Sequence, residues 1–373
     1  MTNNKLKIFA LLLFVCLNFT SVCKAEVNIA VIAPKVGDTA KYGQEIIEGA
    51  QIAVDIINSE GGILGKRVNL VAIDDRCEDS FAVSAAQMMT LNSSAKDKMS
   101  LVIGPFCNNN FADVSKIYSD GKIVRMSFMP LSAKEFYIKE KGLFKIGGLM
   151  SEQAKAFFDF YKNKSAGKNV AMVYDSMLPQ TTETAFELQK LFRENGFNNL
   201  TLFDFADCNE SYLKTAKEIL LNNQIVYVLG KSDKLAGLVQ RLQEENPEVV
   251  IFTDDYMAND MFFRELGNFV EGVYLLRLKN LKDSPNFTED LVKLRLLGKE
   301  PKGLGVYSYT AVNLWRQMAE NAKSYDMEKI QNKINAQEYE TPWGNVAFEN
   351  GNATNTVEYS IYRIENGEYA QVN

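Results

Sequence analysis

An α/β protein of two lobes is predicted, each lobe a mainly parallel sheet covered by helices, and three observations lead there. From Val27 onward short β-branched runs alternate with helical stretches, the pattern of βαβ units. The alternation restarts after Gly147-Gly148. The chain has 373 residues, more than the roughly 250–300 at which a single core stops growing.

In the first half, residues 27–33 read as a strand and 42–58 as a helix, with Ile46, Ala50, Val54 and Ile57 recurring at helical spacing. Strands are expected at 68–73, 101–103 and 123–126, with helices at 80–91 and 111–119 between them. Gly61-Gly62-Ile63-Leu64-Gly65 lies after a helix and before a strand, the reverse of the dinucleotide fingerprint, and therefore reads as a turn. In the second half the pattern gives a helix at 152–161, a strand at 169–174 and a helix at 182–195 stopped by Gly196. Strands at 225–229 and 249–252 continue the second sheet. The tail breaks the rhythm: 306–322 is strongly helical, whereas 357–364 alternates and, with Asn366-Gly367, forms a β-hairpin. Such a mixed tail implies that the chain crosses between lobes more than once. The expected division is a leader at 1–25, one lobe from 26–147 plus 275–346, and the other from 148–274 plus 347–373.

The leader follows from Lys5 and Lys7 ahead of an apolar run too short to span a bilayer. Cys23-Lys24-Ala25 sets small residues at a peptidase spacing, so the mature chain is expected to begin near Glu26, outside the cytoplasmic membrane. Val15 and Val22 precede Cys16 and Cys23, where lipid attachment requires a small residue, so plain cleavage is expected.

Composition then removes whole classes of function. With 41 basic and 47 acidic residues the formal charge is −6, and no long basic run offsets it, so nucleic acid is not an expected partner. Histidine is absent, which takes away the usual general base, the usual zinc ligand and every His-containing triad. No enzymatic role and no cofactor are expected. Past the leader three cysteines remain, Cys77, Cys107 and Cys208. Cys77 and Cys107 both follow strands expected in one lobe and are the chosen pair in an oxidising compartment; three free thiols are the alternative.

Ligands of open α/β sheets bind beyond the carboxyl ends of the strands. That rule selects Asn108, Asn109 and Asn110 after the strand at 101–103, and 128–132 after the strand at 123–126. In the second lobe it selects 175–180, Lys231-Ser232 and 254–259. Asn108 supplies donors for a ligand carboxylate, or simply caps a helix. Asp254 and Asp255 suit a ligand ammonium, or serve as caps, and Lys231 is either a cleft cation or an exposed one. Tyr42, near the start of the first helix, closes over a ligand or packs in the interlobe groove.

The segments Val27-Asn28-Ile29-Ala30-Val31, Tyr42-Gly43, Gly49-Ala50 through Asn58, and Gly61-Gly62-Ile63-Leu64-Gly65 carry a further signal. With Asp74-Asp75-Arg76-Cys77 and Val102-Ile103-Gly104-Pro105-Phe106-Cys107, the chain resembles the branched-chain amino-acid group of bacterial periplasmic binding proteins, the substrate receptors of ABC importers. The resemblance implies the type I periplasmic binding protein fold, a Venus flytrap of two Rossmann-like lobes with three hinge crossings, a small-molecule ligand and a permease partner. It also supports the Cys77–Cys107 bridge, and a monomer is expected. The family's amino-acid binders hold their ligand with a Ser after the second cysteine, a Ser-Pro-Gly-Ala-Thr loop, second-lobe tyrosines and an acidic residue. Here Asn108 stands in the place of the Ser, and Ser127-Phe128-Met129-Pro130-Leu131-Ser132 replaces the loop, leaving Leu131 or Ser132 in the Thr position. Pro179 and Lys231 fall near the tyrosines, Tyr42 matches, and Asp254 or Asp255 falls near the acid. The expected function is therefore extracytoplasmic capture of an amino acid or a related amide or carboxylate for import. A sensory receptor of the same fold is the alternative.

Overall fold

The computed structural model describes residues 26–37, 39–91, 98–107, 110–205, 211–230, 232–254 and 260–372. Its first unit strings together β1 (Glu26–Ile32), α1 (Ala40–Ser59), β2 (Arg67–Ile73), α2 (Asp79–Leu91), β3 (Met99–Ile103), α3 (Phe111–Asp120), β4 (Val124–Ser127), the one-turn α4 (Ala133–Phe136) and β5 (Leu143–Lys145). The second unit continues with α5 (Glu152–Lys164), β6 (Val170–Tyr174), α6 (Pro179–Glu194), β7 (Leu200–Asp204), α7 (Tyr212–Leu220), β8 (Ile225–Leu229), α8 (Ser232–Glu245), β9 (Val250–Asp254), α9 (Asp260–Leu266) and β10 (Tyr274–Leu278). The tail adds α10 (Thr288–Leu296), α11 (Gly305–Ala322), α12 (Met327–Lys333), β11 (Phe348–Glu349), β12 (Asn352–Ala353), β13 (Tyr359–Glu365) and β14 (Glu368–Gln371).

These strands form two seven-stranded sheets, ordered β11-β12-β5-β4-β3-β1-β2 and β14-β13-β10-β9-β8-β6-β7. In each, the strands from the βα repeats pair in parallel, and antiparallel pairs occur only where tail strands join the edge. Parallel strands are buried on both faces, which explains why β6 and β8 read as unbroken apolar runs rather than alternating ones.

Sheet membership differs in two places from the expected division. β10 belongs to the second sheet although the crossing was set at 274/275, and β11 and β12 belong to the first although the later crossing was set at 346/347. The crossings therefore lie after β5, after β10 and after β12. Local pattern says that a segment is extended, but not which sheet edge it will join.

The first unit is completed by chain that comes late. α11 lies against α1 so closely that a Cβ on Gly49 would stand 2.0 Å from the Gly305 carbonyl oxygen, and only glycine permits that approach. Ser308 Oγ donates to the Ile46 carbonyl at 2.6 Å, and the Leu304 N–H donates to Glu45 at 3.0 Å. Trp315, Met318 and Ile330 share one buried cluster with Ile29, Ile46 and Leu101. The second sheet carries a separate cluster on each face, one around Val226, Leu242 and Leu275 and one around Phe157, Tyr227 and Phe252.

Smaller expectations also meet their structure. The glycine-rich segment at 61–65 is a turn in which Gly61, Gly62, Leu64 and Gly65 have φ of 106, 86, 45 and 78°. Asn366 and Gly367 connect β13 to β14 with φ of 55 and 75°, the left-handed pair that a tight hairpin requires.

Candidate functional site

In the first unit the segments that follow β2 and β3 are joined by the disulfide between Cys77 and Cys107, the expected pair. Arg76 and Cys77 turn left-handed directly after Asp75, with φ of 52 and 55°, and Thr39 Oγ1 lies 3.2 Å from Cys77 Sγ. Tyr42, half-buried on the first turn of α1, sets its ring 5.9 Å from that of Phe106. The tyrosine, the loop after β3 and the disulfide thus form one wall. Asn108 and Asn109 lie outside the described residues, as do Lys231 and Asp255 in the second unit. Asn110 immediately precedes α3 and makes no side-chain capping bond.

Behind this wall sits a side chain that sequence reading did not single out. Arg125 on β4 is 1% exposed; its Nε donates to the Gly104 carbonyl at 2.9 Å and its Nη1 to the Phe111 carbonyl at 3.1 Å and to Ser115 Oγ. Its guanidinium lies 4.2 Å from the centre of the Phe111 ring. One cation therefore fixes both ends of the loop that carries Cys107 and Asn108. Burial lowers its pKa to about 10, so it stays charged at neutral pH. Next door on β5, Lys145 Nζ donates to the carbonyls of Phe136 and Ile138, and burial, with Arg125 adding repulsion, brings it down to about 8. The only hint in the sequence was a basic residue interrupting the apolar run of a strand.

Asp75 is fully buried, accepts the Cys77 N–H through Oδ1 at 3.2 Å, and has no hydrogen-bond partner at Oδ2. Burial raises its pKa to about 6 from an ordinary 3.8. The native state then holds a proton that the unfolded chain has already released, so this contribution to stability is complete below about pH 4 and is lost as pH rises through 6. Asp75→Asn keeps the acceptor for Cys77. It is expected to match the parent near pH 4 and to exceed it at pH 7 by on the order of 1–2 kcal/mol. Melting temperatures of both proteins across that range test this, and a difference that does not change with pH would rule it out.

The loop after β4 is held by its own capping box. The Ser132 N–H and hydroxyl donate to Glu135 Oε2 at 3.0 and 2.8 Å, while the Glu135 N–H returns to Ser132 Oγ at 3.4 Å. Leu131 is buried with Phe111 and Leu143, and its backbone is tied to Gly148 and Met150. Its side chain thus belongs to the core beside the crossing, and contact with a ligand would require that cluster to open.

In the second unit Asp175 and Asp254 close β6 and β9, both largely buried. Asp175 Oδ1 accepts the Met177 N–H at 3.0 Å, and Thr181 Oγ1 donates to the Asp175 carbonyl at 2.6 Å, which shapes the entry to α6. Pro179 is the first residue of α6 and is exposed there, its fixed φ suiting that position. Asp254 sits close enough to Tyr227 to raise the pKa of that phenol, though burial raises it more. The two units meet where Glu183 Oε2 on α6 accepts the Ala133 N–H at 2.7 Å. The carboxyl ends of β4 and β6, from different sheets, are therefore brought together.

Two parallel sheets with carboxyl ends opposed and three chain crossings define the architecture of a two-lobed binding protein. The family model described as periplasmic binding protein matches residues 26–368, and the chain belongs to that family. It is 25% identical to an amino acid binding protein of Pseudomonas aeruginosa, over 93% of each chain. It superposes with a TM-score of 0.76 on a leucine binding protein from Thermotoga maritima, 21% identical and covering 93% of this chain and 98% of that one. It also superposes at 0.72 on an R. palustris solute binding protein in complex with 4-hydroxybenzoate, 16% identical and covering 93% and 96%. No helix among the described residues is long and apolar enough to cross a membrane.

Proposed function

We propose that the protein is the extracytoplasmic receptor of an ABC importer, closing its two lobes on a small polar ligand that bears a carboxylate. What supports this reading is the junction of β4 and β6 ends at the Ala133–Glu183 contact, since ligands of parallel sheets lie beyond those ends. Tyr42, Asn108, Asn109 and Ser132 would face the ligand from the first lobe, and Pro179, Lys231, Asp254 and Asp255 from the second. Relatives whose names specify amino acids, and a structural neighbour holding an aromatic acid, point to ligands sharing a carboxylate. The apolar part of the ligand is left open by the same comparison. Delivery would be to a permease in the inner membrane, with the mature chain acting in the periplasm as a monomer.

Closure on a ligand stabilises the folded state by mass action, by about 2.7 kcal/mol at a hundredfold excess over Kd. For lobes of this size that is a rise in melting temperature of roughly 5–10 °C. A thermal-shift panel of amino acids, their amides and aromatic acids should contain such a ligand. Silence across the panel, with no small molecule released on denaturing the purified protein, would sink the reading.

A further inference from the structure

Glu183 ties the two units together, and no role for it follows from the resemblance. It is half-buried on α6, between strands of the second sheet, and its carboxylate accepts an N–H from the loop after β4 of the first sheet at 2.7 Å. The preceding amide, that of Ser132, is already taken by Glu135 at 3.0 Å. Two consecutive amide protons, the last of the loop that replaces Ser-Pro-Gly-Ala-Thr and the first of α4, are thus held by the chain's own carboxylates. One carboxylate is local and stays whatever the second unit does; the other arrives from across the cleft. The Glu135 bonds form within one short segment and say nothing about how the units sit, whereas the Glu183 bond exists only while they are together. An interaction present in one state and absent from the other biases the equilibrium between them by its own free energy. Hydrogen bonds to an ionised acceptor are the stronger kind.

We propose that Glu183 is an internal latch: its carboxylate on the Ala133 amide stabilises the arrangement in which the two units are together, and losing that bond shifts them apart. This rests on the hinged-receptor reading for the existence of an open state, but it needs no ligand to be tested.

The test is small-angle X-ray scattering of the protein, unfolded, dialysed free of small molecules and refolded, alongside Glu183→Ala and Glu183→Gln. The radius of gyration should be smallest for the parent, largest for Glu183→Ala, and intermediate for Glu183→Gln, which keeps an acceptor but loses the charge. A tenfold fall in the closed-to-open ratio, about 1.4 kcal/mol, is the expected size for Glu183→Ala. Equal radii for the parent and Glu183→Ala, both open or both closed, overturn the latch. Should Glu183→Ala fail to fold by circular dichroism, Glu183→Gln decides alone: a larger radius than the parent's supports the latch and an equal one overturns it. A variant that opens while the thermal panel stays silent and the denatured protein releases no small molecule keeps the latch and removes the receptor reading. A panel ligand found alongside equal radii does the reverse.

Discussion

Arg125→Ala is expected to destabilise the protein by about 3–5 kcal/mol, a fall in melting temperature of roughly 6–20 °C. Two losses add. The side chain is 1% exposed, so truncation leaves a void next to Phe111, and core truncations of that size cost about 2–5 kcal/mol. The carbonyls of Gly104 and Phe111 and the hydroxyl of Ser115 lose a charged donor inside the protein, and a buried polar group left unmade costs about 1–3 kcal/mol. The two losses need not sum in full, because the loop after β3 can relax into the space. That relaxation is itself a functional effect, since it moves the segment carrying Cys107 and Asn108. Arg125→Met separates the contributions: it restores most of the volume and none of the donors. A methionine variant nearly as unstable as alanine assigns the effect to the hydrogen bonds; one close to the parent assigns it to packing. An alanine variant melting within 1–2 °C of the parent would refute the assigned role.

Removing the disulfide is expected to cost nearly as much. Cys77 and Cys107 are separated by 30 residues, and closing a loop of that length removes about 3–4 kcal/mol of chain entropy from the unfolded state. The bridge also joins the segments following β2 and β3, and Asp75 and Thr39 pack against its first cysteine. The Cys77→Ser/Cys107→Ser double variant should therefore melt well below the parent and be indifferent to a thiol reductant, whereas the parent should lose stability when reduced. Calorimetry with and without reductant, with thiol titration to verify reduction, measures both. A parent whose melting point is unmoved after complete reduction would show that the bridge contributes nothing to stability.

The βα repeats were legible because their strands are apolar throughout and their helices carry regular apolar faces; β1, α1, β3, β6 and β8 fall within a few residues of where the pattern sets them. The strands β5, β7 and β10 and the helices α7, α8, α9, α10 and α12 were not anticipated, nor were the short α4, β11 and β12. β7 (Leu200–Asp204) lies at the sheet edge with no side chain fully buried, and α10 lacks a sustained apolar stripe. The disulfide was legible from the positions of its cysteines just beyond two strands. Arg125 was not, because a lone basic residue in a strand reads as an exposed side chain until the surrounding carbonyls are known. Glu183 was out of reach for a different reason: its partner lies 50 residues away, and no periodicity links a helix of one lobe to a loop of the other.

The return of α11 onto α1 determines the order in which the molecule can assemble. Lys299 reaches Asp55 across 244 residues of sequence, and Ser308 reaches Ile46 across 262. Contacts so distant along the chain are slow to form, because loop closure must precede any gain from packing. The N-terminal sheet is the first to emerge in synthesis yet among the last to acquire a complete core, while the second sheet can form its βα repeats from one continuous stretch. A chain whose first sheet keeps one face uncovered until its last third has appeared remains threadable for longer than one whose domains close in sequence. On the export reading proposed above, that delay keeps the polypeptide passable through a membrane channel until it reaches the compartment where its disulfide forms.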